Sequence, residues 1–253
     1  MKHTLLKSVK ALLLAAGLLS AAAANAAITF ANGADVGWIS EMEKSGYSWY
    51  SSAGVKTDPF ALLKSKQVNA IRLRVWVNPA GGWNGGVDVL AKARRAQAQG
   101  QKIMIDFHYS DAWADPGQQT LPAAWKTHTI SQLVNDVYQH TSGMLNYFKS
   151  NGVTVDWVQV GNEINGGMLW PAGSTANFSQ LVQLINSGYN AATAVYPAAP
   201  VIIHLANGYK GADIQYFFDR LRSGGGKFDV VGSSHYPPTA DWVNYNNMLA
   251  NTM

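Results

Sequence analysis

Cysteine is absent from all 253 residues, which excludes disulfides and thiolate metal sites and leaves stability to an apolar core. Glutamate is nearly absent: the sequence holds only Glu41, Glu43 and Glu163, so chemistry that needs this residue has three places to reside. Charged residues make up 13%, and no basic stripe of the kind a polyanion binder needs is visible. The sequence pI of about 9.2 owes much to the first 26 residues. Three of the 19 Lys and Arg lie there with no acid, so the rest carries 16 cations against 15 Asp and Glu. No nucleic-acid partner is expected. After the N-terminal segment no apolar run approaches the roughly 18 residues of a membrane-crossing helix, so no membrane partner is expected either.

What is present begins with an export signature. Lys2, Lys7 and Lys10 flank an apolar stretch from Ala11 to Leu19, and Ala24-Asn25-Ala26 has the small-x-small pattern of a cleavage site. Residues 1–26 therefore read as a signal peptide, with an extracellular or periplasmic destination. Residues 27–253 read as one large domain, somewhat short for a barrel of about 250 residues. Nine Trp and eleven Tyr suit a protein that presents flat aromatic faces to an uncharged ligand.

Strand-like apolar runs recur with helical patterns between them, the arrangement of parallel β/α units. Strands are expected near 33–38, 70–77, 102–108, 155–162, 200–205 and 228–235, and helices over 58–66, 87–99, 130–149, 177–195 and 211–221. Asp58 and Pro59 mark one helix start, and Gly100 follows another helix end. The strand-to-helix loops are long or rich in Gly, Pro and Trp, whereas the returns are short, which places a functional rim at the strand C-termini. The expected class is α/β, a (β/α)8 TIM barrel with about six of its eight units in this chain. An open doubly wound sheet is the alternative. Residues 239–253 would begin a further helix.

Three segments carry candidate chemistry. In GNEIN, 161–165, Glu163 follows an apolar run and precedes a Gly-rich turn, where a barrel carries its catalytic groups. Asn162-Glu163 suits glycosidic cleavage: the carboxylic acid protonates the leaving oxygen while the amide hydrogen-bonds a sugar hydroxyl. In NAIRLRVWVNP, 69–79, strand alternation puts Arg72 and Arg74 on one side, so one or both need an anionic partner such as Asp106. In DFHYSDAWADPGQQTLPAAW, 106–125, Asp106, His108 and Asp111 could ligate a metal, but tight ligand spacing is lacking and Trp113 and Trp125 fit sugar stacking better. No metal is expected. His204 and His235, each at a strand end, read as hydrogen-bonding residues of a polar cleft, and Met168-Leu169-Trp170-Pro171 as a sugar-binding wall or loop packing.

Taken together, GADVGW at 33–38, RLRVWVNP at 72–79, DFHYSDAWADPGQQTLPAAW, VGNEINGGMLWP at 160–171, IIHLANG at 202–208 and SSHYP at 233–237 resemble glycoside hydrolase family 53. Its members are endo-β-1,4-galactanases that cut type I arabinogalactan, within a clan of retaining (β/α)8 glycosidases. The resemblance implies Glu163 as general acid/base, Asn162 as the substrate-positioning amide and Arg72 as the arginine that supports the nucleophile. It places Tyr236 near the reaction centre, and Asp106, His108, Asp111, Trp113 and Trp170 in cleft-lining segments. The family's nucleophile is a glutamate ending the seventh strand, beyond the SSHYP segment, and Glu41 and Glu43 match no such position. The fragment alone is therefore expected to be inactive. The implied partner is β-1,4-galactan, bound by a monomer without a cofactor; the calcium held by loops of some bacterial members would fall beyond Met253. A non-catalytic galactan-binding protein and a mannanase- or xylanase-like glycosidase of the same clan are the other readings.

Overall fold

Period-two alternation along six short strands sorts the side chains of this molecule into a polar and an apolar layer. The computed structural model describes residues 30–236, and Asn32 onward form the unit described below. The expected signal peptide and the expected helix at 239–253 lie outside the described residues. The strands are β1 (Gly33–Asp35), β2 (Ala70–Val75), β3 (Lys102–Phe107), β4 (Trp157–Val160), β5 (Val201–Leu205) and β6 (Val230–Ser233). They form one sheet in the order β1 to β6, each parallel to the next.

That sequential order decides the architecture. A doubly wound sheet reverses its strand order at a switch point, whereas here every crossover moves one strand onward in the same direction, as in a barrel. The fold is a partial (β/α)8 barrel of six strands.

The register aligns Leu73 with Ile105, Ile105 with Val158, and Val158 with Val201, all fully buried. Ile71, Val75, Phe107, Val160 and Ile203 continue this face, which the helices cover. On the other face the same register aligns Arg74 with Asp106, Asp106 with Gln159, and Gln159 with Ile202. Arg72 and His204 fall on this face by alternation. A polar seam thus crosses the concave side of a sheet whose convex side is wholly aliphatic and aromatic.

The helices are α1 (Ile39–Lys44), α2 (Pro59–Ser65), α3 (Gly86–Ala98), α4 (Ile130–Ser150), α5 (Phe178–Val195) and α6 (Gly211–Ser223). Asp58 caps α2, accepting from Phe60 N at 2.8 Å with Pro59 in the first turn. Thr129 and Gln132 form a capping box at α4. Close approach of α5 to the sheet requires Gly188: a Cβ there would stand 2.7 Å from Val160 Cγ1 and 2.8 Å from the Tyr109 hydroxyl. The short α1 was not expected. Several strands end earlier than the sequence reading places them, because the chain peels away from the ladder after Asp35, Val75, Phe107 and Val160 to build the rim.

Candidate active site

Glu163 sits three residues beyond β4 in a left-handed conformation, φ 50°, a sparsely populated state for a residue with a Cβ that persists only when its surroundings hold it. Those surroundings are specific. Gly161, at φ 81°, accepts no side chain, since a Cβ would lie 2.7 Å from Ile164 Cγ2. Gly161 N donates to Phe107 O at 3.0 Å and Ile164 N to His204 O at 3.0 Å, which pins the turn to β3 and β5. Asn165 completes the clamp with bonds to Ala206 N and O at 2.7 and 2.9 Å. The result is a half-buried carboxylate on a rigid turn at the strand C-termini.

Beside it, Asn162 is the hub of the polar seam and only 3% exposed. Its Oδ1 accepts from Arg72 Nη2 at 2.8 Å and His204 Nδ1 at 2.9 Å, with Gln159 Nε2 3.3 Å away. Its Nδ2 donates to Ala114 O at 2.8 Å, and that bond fixes the amide's orientation. One of its two N–H bonds remains for a ligand. Because Oδ1 can only accept, His204 must carry its proton on Nδ1, and the longer 3.3 Å approach of Glu163 N to the same nitrogen is then not a hydrogen bond. His204 Nε2 accepts from the Ser234 hydroxyl at 3.1 Å. Burial and the nearby Arg72 push the His204 imidazole down to about 4, so it is neutral at pH 7.

Arg72 anchors the other side. Nη1 meets Asp35 Oδ2 at 2.6 Å, Nη2 meets Asp106 Oδ2 at 2.7 Å, and Gln159 Oε1 accepts from Nε and Nη2 at 3.3 and 3.1 Å. Burial opposes its charge, but Asp106 and Asp35 outweigh that and raise its pKa; Glu163 adds to the same field. Asp106 is fully buried. Burial alone would push its carboxyl up, yet Arg72 and His108 together hold it below the usual range. His108 Nδ1 accepts from Ala114 N at 3.1 Å and Trp76 Nε1 at 3.3 Å, so Nε2 carries the proton and donates to Asp106 at 2.9 Å.

Asp106 and His108 were expected to touch substrate. They are 0% and 1% exposed and lie beneath the cleft floor, acting on it through Arg72, Gln159 and Asn162. Asp111 likewise ties loops together, accepting from Asn78 N and Ala123 N at 2.9 and 2.8 Å. Trp113 does reach the rim: it stacks with Trp38, 6.5 Å between centroids. Of the two arginines it is Arg72 that meets carboxylates; the Arg74 guanidinium lies against both indole rings, 4.4 and 4.6 Å from their centroids, and burial lowers its pKa. Trp170 is half-buried, its Nε1 donating to Gly166 O at 2.9 Å. His235 stands edge-on to Tyr209 at 6.5 Å, and Tyr236 is 83% exposed.

Gln159 is the residue the sequence reading missed. Buried in β4, it gives its Nε2 hydrogens to Asp106 Oδ1 and Gly161 O and its oxygen to Arg72. Gln119, also missed, donates to Asn162 O at 2.8 Å. Among the described residues no group of three or more His, Asp or Glu is placed to hold a metal ion.

Comparison with known proteins follows the same lines. The model of "Glycosyl hydrolase family 53" matches residues 31–253. A protein of Aspergillus fumigatus named probable arabinogalactan endo-β-1,4-galactanase A is 37% identical over 230 residues, 87% of this chain and 64% of that protein. The solved catalytic domain of family 53 from Ignisphaera aggregans superposes with a TM-score of 0.83 at 38% identity, covering 88% of this chain and 64% of that one. One of two solved fungal β-1,4-galactanases superposes at 0.78 with 34% identity, covering 81% and 63%. The chain thus spans just under two thirds of the length of these relatives.

Proposed function

Because the chain belongs to glycosyl hydrolase family 53, we propose that it carries the general-acid half of an endo-β-1,4-galactanase site, acting on internal bonds of galactan. The observation that carries this reading is the pairing of Glu163, on its clamped left-handed turn, with an Asn162 amide whose acceptor is saturated by Arg72 and His204. In the proposed reaction Glu163 gives its proton to the glycosidic oxygen as that bond breaks. A second carboxylate attacks the anomeric carbon and forms a glycosyl-enzyme with inverted configuration. Glu163, now a carboxylate, takes a proton from water, whose oxygen displaces the enzyme and restores the original configuration. The free Nδ2 hydrogen of Asn162 donates to a hydroxyl of the reacting sugar from an amide that cannot rotate, a hydrogen bond of the kind that strengthens in the transition state.

Retention requires the second carboxylate about 5–5.5 Å from the first. Glu43 is taken up by a bidentate pair with Arg95 at 2.7 and 2.8 Å, and Glu41 shares the same short helix. We assign the nucleophile to a glutamate C-terminal to the SSHYP segment, and expect negligible turnover from residues 27–253 alone. Residues 1–26 are proposed to direct export, and the galactanase is proposed to act as a monomer without a cofactor.

Reducing-sugar release from β-1,4-galactan, β-mannan and xylan tests this, using residues 27–253 and the same polypeptide continued through its downstream reading frame, each also as Glu163→Gln. Release from galactan by the longer form only, lost in Glu163→Gln, is expected. Release by the shorter form refutes the assigned nucleophile, and silence of both on galactan refutes the substrate.

A further inference from the structure

Away from the cleft, α5 and α6 leave a groove of about 240 Å³ lined by Asn165, Thr175, Phe178, Asp213, Tyr216 and Arg220. Asp213, Tyr216 and Arg220 recur on one face of α6 at the spacing of successive helical turns, so the groove runs about 10 Å along that helix. Its floor is Phe178, packed edge-on against Phe217 at 5.7 Å. The Arg220 guanidinium lies over Phe178 at 4.0 Å and over one face of Tyr216 at 5.5 Å, and Tyr216 is 65% exposed.

A packing gap is usually closed by side chains that satisfy one another. Here neither the Asp213 carboxylate nor the Arg220 guanidinium makes an ion pair or side-chain hydrogen bond with another described residue. An unused acceptor and an unused fork of donors stand at opposite ends of an aromatic trough. Their charges cancel, so the groove favours neither an anion nor a cation. What it fits is a neutral, polyhydroxylated ring: one face of C–H bonds lies on Tyr216, and hydroxyls at the two ends reach Asp213 and Arg220. The volume is below the roughly 300 Å³ at which ligand sites usually begin, which suits one sugar unit of a longer chain.

We propose that this groove is a second carbohydrate-binding site, holding a neutral glycosyl unit of the polysaccharide outside the cleft. It lies behind the acid turn: Asn165, which lines it, is two residues from Glu163 and is zipped to Ala206. A strand of galactan cleaved at Glu163 therefore has a second hold on the same molecule, an assignment that rests on the function proposed above.

Retention of the full-length protein in native gels containing galactan tests it, in a Glu163→Gln background so that the gel is not digested. Tyr216→Ala removes the platform, and Asp213→Asn, an isosteric change at an exposed position, removes the acceptor charge without disturbing packing. Each is expected to weaken retention about three- to tenfold, while kcat/KM on a short soluble galacto-oligosaccharide, measured with Glu163 intact, stays unchanged. If the parent is retarded and both variants are retarded equally, the groove is overturned and the cleft assignment stands. If the parent is not retarded by galactan at all, the galactan reading and the groove fall together.

Discussion

Replacing Arg72 by methionine keeps the length of the stem and removes the one cation that touches Asp35, Asp106, Gln159 and Asn162. Breaking a buried ion pair by deleting one partner typically costs about 3–5 kcal/mol; Arg72 is 23% exposed, so the lower end, about 3 kcal/mol, is the better figure at pH 7. The size of the loss depends on pH, and the sign can be worked out. In the parent, Asp106 has a depressed pKa, so its contribution is full above the unfolded carboxylate value near 4 and is lost as pH falls through the lower folded value. Without Arg72, burial dominates and its folded pKa rises above the unfolded value. The variant then loses stability as pH increases through that raised value. Unfolding in urea at pH 5 and pH 8 should show a deficit against the parent that is larger at pH 8. Adding Asp106→Asn should recover part of it. A deficit that is equal at the two pH values, or below about 1 kcal/mol, would refute the view that Arg72 neutralises a buried carboxylate.

Three other outcomes follow from particular contacts. Gln159→Leu leaves Asp106 Oδ1 and Arg72 Nε without a partner and frees Asn162 to shift; on galactan kcat should fall about a hundredfold with KM little changed, and an unchanged kcat contradicts its positioning role. Gly188→Ala forces a methyl against Val160 and Tyr109 and should cost about 1–3 kcal/mol in denaturant unfolding; a neutral effect contradicts the close approach of α5. His140, ringed by Phe107, Tyr109 and Trp125, is pushed by burial down to about 4. A depressed histidine contributes fully above the unfolded value near 6.5 and loses up to roughly 3 kcal/mol as pH falls toward 4, so His140→Phe should flatten the fall in thermal stability between pH 6.5 and 4. An unaltered slope refutes the assignment.

The strands were legible because parallel strands buried under helices read as aliphatic runs, and IRLRV, KIMIDF and WVQV are such runs. Their ends were less so: the residues after Val75 and Phe107 keep strand-like composition but leave the ladder for the rim. The strand-end position of Glu163 was legible from its place after an apolar run, and the importance of Arg72 from a charge inside one. Depth was not. Asp106, His108 and Asp111 are the residue types a sugar cleft uses; the register gives Asp106 its neighbours Arg74 and Gln159, but only the packing around it shows Asp106 fully buried with His108 bonded to it. Gln159 was hidden because one polar residue between valines resembles ordinary alternation; once β4 is aligned with β3, its side chain has to meet Asp106. Which of Arg72 and Arg74 would meet a carboxylate was not legible, since a buried cation is accommodated by indole faces as well as by a carboxylate.

Delivery of the proton to the leaving oxygen is the role proposed for Glu163. It is tested most directly by comparing Glu163→Gln with the parent, in the form that cleaves galactan, on galactan and on an aryl β-galactoside whose phenolate departs without protonation. A loss of about 10²–10⁴ in bond cleavage on galactan and a far smaller loss for release of the phenolate are expected. An equal loss on both substrates, or none on galactan, would contradict it.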